Sequence, residues 1–172
     1  MWGGTPTRNM VAEAKGIPTE IVPGKIDPEK ETIDLAKAKN ILWTAKLGSQ
    51  TYGNPVIANG KILVGTNNES PRDPGQKGDR GNLLCFDEKT GNFLWQLIVP
   101  KLGAGKVSDW EFVGLCSSPA IVGDKAYVVT NRGEIVCLDI NGLANGRFSS
   151  ESATMSKSSA TSPTKMLENS LK

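Results

Sequence analysis

The sequence predicts an all-β protein built on a repeated four-stranded unit. The first observation is the stretch Gly81–Trp95, GNLLCFDEKTGNFLW, where the apolar runs Leu83–Phe86 and Phe93–Trp95 flank the short segment Asp87–Gly91. That pattern reads as two antiparallel strands. Asp accepts hydrogen bonds from nearby backbone N–H groups, and Gly takes the positive φ of a tight turn. A lone hairpin is not stable in water, so this one must belong to a larger sheet. The second observation is that the text recurs. Ser118–Asn131 matches Asn54–Asn67 at an offset of 64, and Arg132–Asp139 matches Arg80–Asp87 at an offset of 52. The third is composition: 38% hydrophobic residues and 19 glycines suit many short strands and turns.

The two offsets differ by 12 because the first copy carries a longer loop, around Glu69–Asp79. Leu42-Trp43 and Leu94-Trp95 are also 52 apart, and removing the insertion leaves a period of 40. That is the length of one four-stranded propeller blade.

In chain order, residues 1–40 read as an extended N-terminal arm, since Trp2-Gly3-Gly4-Thr5-Pro6 and the prolines at 18, 23 and 28 interrupt regular structure. Asp27-Pro28-Glu29-Lys30 has the form of a helix start, with Asp27 as N-cap and Pro28 at N1, but Ile33, Leu35 and Ala36 make a poor apolar stripe. Residues 41–145 form the repeats, with blades at about 41–98 and 115–145. Ile41-Leu42-Trp43 reads as the end of a strand and Asn54–Ala58 as the next. Asn59-Gly60 is a two-residue hairpin signal, and Lys61–Thr66 is the returning strand. Several strands are apolar on both faces, as expected where sheets pack on each side. Residues 146–172 are rich in Ser, Thr and Lys with no strand-length apolar run, and read as a disordered tail.

Composition also excludes. A net charge of +2 gives no basis for a nucleic-acid partner, and no apolar run reaches the roughly 18 residues of a membrane span. The first twenty residues hold no apolar core of signal-peptide length. The absence of histidine removes the usual general base and the commonest metal ligand. Cys85, Cys116 and Cys137 have no CxxC spacing, which argues against zinc. No pair of them suits a disulfide, because packed sheets and alternate strands hold Cα atoms about 10 Å apart, beyond the ~7 Å limit. All three read as buried apolar cysteines.

The motif Cys85-x-Asp87-x-x-Thr90-Gly91-x-x-x-Trp95 resembles the tryptophan-docking repeat of the pyrroloquinoline-quinone (PQQ)-like β-propellers. That superfamily contains quinoprotein alcohol dehydrogenases and a non-enzymatic propeller lipoprotein of the outer-membrane β-barrel assembly machinery. Trp2–Asn9 is similar to the segment that precedes the first blade in such proteins, which makes Met1 read as an internal start. The resemblance covers about residues 1–145. The second copy begins at Cys137-Leu138-Asp139 but has Arg147 where the docking Trp belongs. Family propellers close with about eight blades, so the chain reads as an incomplete propeller, a fragment of a longer one.

The resemblance makes Cys85, Asp87, Thr90, Gly91, Trp95 and Trp43 a structural docking set, with both tryptophans packed between blades. The polar loop Asn67–Arg80 is the candidate binding segment, with Asn67, Asn68, Glu69, Asp73 and Asp79 as its polar groups. Its carboxylates do not have EF-hand spacing, and Arg72, Lys77 and Arg80 offset their charge. Gly103–Val107 superficially resembles a phosphate loop, but Pro100 replaces its first glycine and Val107 its Ser/Thr, so it reads as an interblade linker.

The expected function is a non-catalytic PQQ-like repeat module that binds a protein or small ligand on its loop face, without a cofactor. The alternative is a fragment of a PQQ-dependent dehydrogenase of alcohols or sugars, with PQQ and calcium over the central channel. No motif places a catalytic or cofactor residue for it. Open blade edges would favour self-association. The resemblance implies a periplasmic parent, whereas a genuine start at Met1 without a signal peptide would leave the chain in the cytoplasm.

Overall fold

The computed structural model describes residues 11, 14–29, 32–103 and 109–142. The Ser-rich tail, Arg147, most of the Gly103–Val107 linker and the Trp2–Asn9 segment lie outside them. The chain divides into two compact units.

The first unit comprises residues 1–46 together with Lys89–Gly91. The helix-start signal at Asp27, which lacked an apolar stripe behind it, belongs to a hairpin of β1 (Lys25–Asp27) and β2 (Thr32–Asp34), with Ile26 opposite Ile33. The Asp27 carboxylate does accept from the Glu29 N–H at 3.0 Å, but it closes a turn, because no apolar stripe follows to hold a helix down. One turn of 3-10 helix, Leu35–Lys37, is capped by Asp34, which accepts from the Ala36 N–H at 2.9 Å. Glu20 and Lys39 pair beside the Val22–Lys39 bridge. Ile41-Leu42-Trp43, expected to end a strand, has no ladder partner among the described residues and runs on as irregular chain.

The second unit comprises Leu47–Glu88 and the chain from Asn92 onward. It holds a four-stranded antiparallel sheet: β3 (Val56–Ala58), β4 (Lys61–Asn67), β5 (Arg80–Asp87) and β6 (Phe93–Pro100), in that order. Asn59 and Gly60 both take positive φ (52° and 72°), the type I′ geometry that matches strand twist. The opening hairpin is β5–β6, with Cys85 opposite Trp95 and a bulge between Cys85 and Phe86. A second sheet follows: β7 (Ala120–Val122), β8 (Lys125–Val129) and β9 (Ile135–Asp139). Here Gly123 alone takes positive φ, at the first central turn position.

The two sheets are stacked with the repeat in spatial register. The Asn54 N–H donates to Ser118 Oγ at 2.7 Å, and Asn59 Nδ2 donates to the Gly123 carbonyl at 2.8 Å. Both pairs are 64 residues apart, the offset of the repeat. Leu63, Leu83, Cys85 and Leu97 of the first sheet close on Ala126, Val128 and Leu138 of the second to form the core. The described residues are therefore all-β apart from one 3-10 turn, as a partial propeller requires.

One expectation fails. Cys85 is buried, but Cys116 and Cys137 are exposed, and all three are free. Cys137 occupies the position of Cys85 in the next repeat, yet no described sheet covers its face.

Candidate functional site

The docking motif acts between copies of the repeat. Trp95 starts from the outer strand β6, lies 3% exposed in the core, and donates its Nε1–H to the Ile140 carbonyl at 3.0 Å. Its ring lies against Gly142, where an added Cβ would sit 2.7 Å from Cδ1. Gly142 also has φ +73°, so glycine is required there twice over. Within the first unit, Trp43 stands in the same relation to Gly91, whose Cβ would meet the indole at 2.4 Å. Each tryptophan is thus seated by the turn glycine of the following copy. The second copy loses its tryptophan position but keeps this glycine in a shortened turn, Asp139–Gly142, where the Asp139 carboxylate accepts from the Asn141 N–H at 2.8 Å. Gly142 escaped the sequence reading because the motif spacing slips by one residue.

Asp87 closes the first turn, its N–H donating to the Asn92 carbonyl at 2.8 Å, while Thr90 is exposed. Burial pushes the Cys85 thiol up to about 12, against a smaller opposing pull from Lys61. It is a packing group and not a nucleophile.

The loop between β4 and β5 has a built interior. Asn67 accepts from the Ser49 N–H (3.0 Å) and the Glu69 N–H (3.2 Å), and its amide donates to Ser49 Oγ at 2.9 Å. Asn68 holds the Gly78 carbonyl at 3.1 Å and accepts from Asn82 at 2.8 Å. Asp73 accepts from the Gly75 N–H at 2.8 Å and Asp79 from the Phe112 N–H at 2.7 Å. Arg72 stacks over both Phe93 (4.8 Å) and Phe86 (5.2 Å), and burial lowers its pKa. The loop therefore folds back along its own sheet, and its exposed residues are Glu69, Pro71, Pro74, Gly75, Lys77 and Gly78. Glu69, Asp73 and Asp79 do not converge, and no group of three acidic or cysteine side chains fit for a cation exists among the described residues. These oxygens do not fit the calcium that would accompany PQQ.

A polar knot that the sequence did not announce joins the two sheets. Lys101 pairs with the buried Asp109 and lies 3.7 Å from Asp79. Asn131 Nδ2 donates to Asp109 at 2.9 Å, the Leu102 N–H does so at 3.0 Å, and Arg132 donates to the Lys101 carbonyl at 3.2 Å. Burial would raise the Asp109 pKa, but the hydrogen bonds from Lys101, Asn131 and Leu102 outweigh it and hold the carboxyl below its usual value. Lys101 and Asp109 stand eight residues apart and Asn131 lies in the next repeat, so no local pattern signals the cluster. Within the first sheet, Gln96 is fully buried with neither amide atom partnered, and Asn82 Oδ1 is likewise alone.

Stacked antiparallel sheets, aligned at the repeat offset and latched by a tryptophan under the neighbouring turn, define a β-propeller repeat protein of the PQQ-like class. The family described as outer membrane protein assembly factor BamB matches residues 30–162, and the chain belongs to that family. No curated protein matches the chain. Among 23 matching solved chains, the structure of BamB from Moraxella catarrhalis is 24% identical with a TM-score of 0.35. That match covers 70% of this chain and 27% of the other, so the chain spans about a quarter of the length of that relative. No helix among the described residues is long and apolar enough to cross a membrane.

Proposed function

We propose that the chain is a non-catalytic propeller-repeat module that binds a protein partner in the extracytoplasmic space of a bacterium. The observation that carries this reading is the family match over residues 30–162, since that family is described as an assembly factor and not as an oxidoreductase. The chemistry of the chain supports it. There is no histidine, and the motif side chains hold sheets together. The exposed tip of the 67–80 loop, held rigid from beneath by Asn67, Asn68 and Arg72, is the surface that would meet the partner.

The test has two arms. Purified chain is incubated with PQQ and Ca²⁺, desalted, and read for bound-quinone absorbance and for dye reduction with alcohols or sugars. The same chain, immobilised, is exposed to a detergent-solubilised bacterial envelope fraction. Retention of outer-membrane assembly proteins without quinone is the expected result. Stoichiometric quinone with dye reduction would replace this reading with the dehydrogenase one.

A further inference from the structure

Two Asn-Gly pairs lie among the described residues, Asn59-Gly60 and Asn141-Gly142, while Asn145-Gly146 falls outside them. This dipeptide has a chemistry of its own: glycine has no Cβ to obstruct it, so its backbone nitrogen can attack the preceding side-chain carbonyl carbon. The surroundings decide whether it does, and the two pairs differ. Asn59 and Gly60 are both exposed, and a Cβ built on Gly60 would meet nothing within 4 Å. The Gly60 carbonyl accepts from the Glu88 N–H at 3.0 Å, but the Gly60 nitrogen donates to no described group. At the other pair the Gly142 N–H donates to the Asp139 carbonyl at 2.9 Å, and Gly142 lies against the Trp95 ring. Opening costs differ as well. Asn59 sits at the tip of a hairpin whose strand β3 pairs over three residues only, whereas Asn141 is released only when Trp95 leaves its seat.

We propose that Asn59 is a site of spontaneous deamidation, and that the reaction cuts a tie between the two sheets. The tip of the hairpin must first leave its type I′ conformation, in which the Gly60 nitrogen points away from the Asn59 side chain. That nitrogen then gives its proton to solvent and bonds to Asn59 Cγ. The Cγ–Nδ2 bond breaks, ammonia leaves, and a succinimide ring remains. Water opens the ring at one of its two carbonyls, which leaves aspartate or isoaspartate at position 59. Nothing is oxidised or reduced. Both products lose the Nδ2–H that donates to the Gly123 carbonyl at 2.8 Å, and both gain a negative charge beside that oxygen. Isoaspartate also adds a carbon to the backbone, so a two-residue turn no longer fits the register of Ala58 with Lys61. Of the two bonds at the repeat offset, the one from Asn54 to Ser118 is left.

The full chain is incubated at mildly alkaline pH, folded and, separately, in urea, and each Asn-Gly pair is followed by mass spectrometry with fragmentation that assigns the site. In urea Asn59 and Asn141 should react at similar rates, because the dipeptide is the same. In the folded chain Asn59 should react at least about tenfold faster than Asn141. An isoaspartyl methyltransferase should label the peptide that carries residue 59. Asn59→Gly, which keeps a residue suited to positive φ, should abolish that label. The modified chain, separated by its added negative charge, should unfold at lower urea than the unmodified chain. A ratio in the folded chain no greater than that in urea would overturn the proposal, as would an Asn59 that reacts only after unfolding. A modified chain with an unchanged urea midpoint would overturn the loss of the tie to Gly123.

Discussion

Truncating Trp95 to alanine removes a link between the first sheet and the turn that follows the second. The side chain is almost wholly buried and makes one hydrogen bond, from Nε1–H to the Ile140 carbonyl at 3.0 Å. Deleting a buried tryptophan costs about 3–5 kcal/mol through lost transfer energy and the cavity left behind. Part of that is the orphaned Ile140 carbonyl, worth about 1 kcal/mol. Trp95→Phe separates the terms, since it keeps most of the apolar area but deletes the donor, and should cost about 1.5 kcal/mol. With a urea slope of about 2 kcal/mol per molar, the midpoint should fall by about 2 M for alanine and about 0.7 M for phenylalanine. Equal shifts for both variants would mean that the indole N–H, and not burial, dominates. A shift below about 0.5 M for alanine would show that the sheets do not depend on this latch, and would refute the reasoning.

Three further outcomes follow from the same geometry. Gly142→Ala should lower the urea midpoint by the equivalent of about 2 kcal/mol, from strain at positive φ and the clash with the Trp95 ring, and Trp95→Ala should relieve the clash in the double variant. Gln96→Met should stabilise by about 1–2 kcal/mol, because it replaces a fully buried amide without partners by an apolar side chain of similar shape; a destabilised variant would show that Gln96 does have a partner. The depressed pKa of Asp109 gives stability that is present above the usual carboxylate range and lost as pH falls through the folded value. Asp109→Asn should therefore be less stable than the parent at pH 7, and the gap should close below about pH 4. A gap constant with pH would assign the effect to packing.

The repeat was legible because it is written in local chemistry: the positive-φ pairs, the aspartates that close turns, and apolar runs of strand length. Asn59-Gly60 and β5–β6 sit where the text put them. What escaped detection depends on groups brought together only by folding. Lys101 and Asp109 stand eight residues apart in the sequence, and the partners Asn131 and Asp79 come from different repeats. Arg72 read as a countercharge, yet it spends itself on two aromatic rings. Cys137 read as buried by analogy with Cys85, but burial belongs to the neighbour and not to the residue. Asp27 shows the limit of capping signals: the cap formed, but without an apolar stripe behind it the chain turned back as a hairpin.

The bond from Trp95 to Ile140 spans 45 residues of chain. On a translating ribosome adding roughly 5–20 residues per second, Trp95 emerges some 2–9 s before its acceptor does. Throughout that interval the first sheet is hydrogen-bonded but not fastened, and its indole is open to any chaperone that reads exposed aromatics. The first blade is latched only by the synthesis of its successor, so the nascent chain carries Trp95 unlatched until Ile140 and Gly142 have followed it.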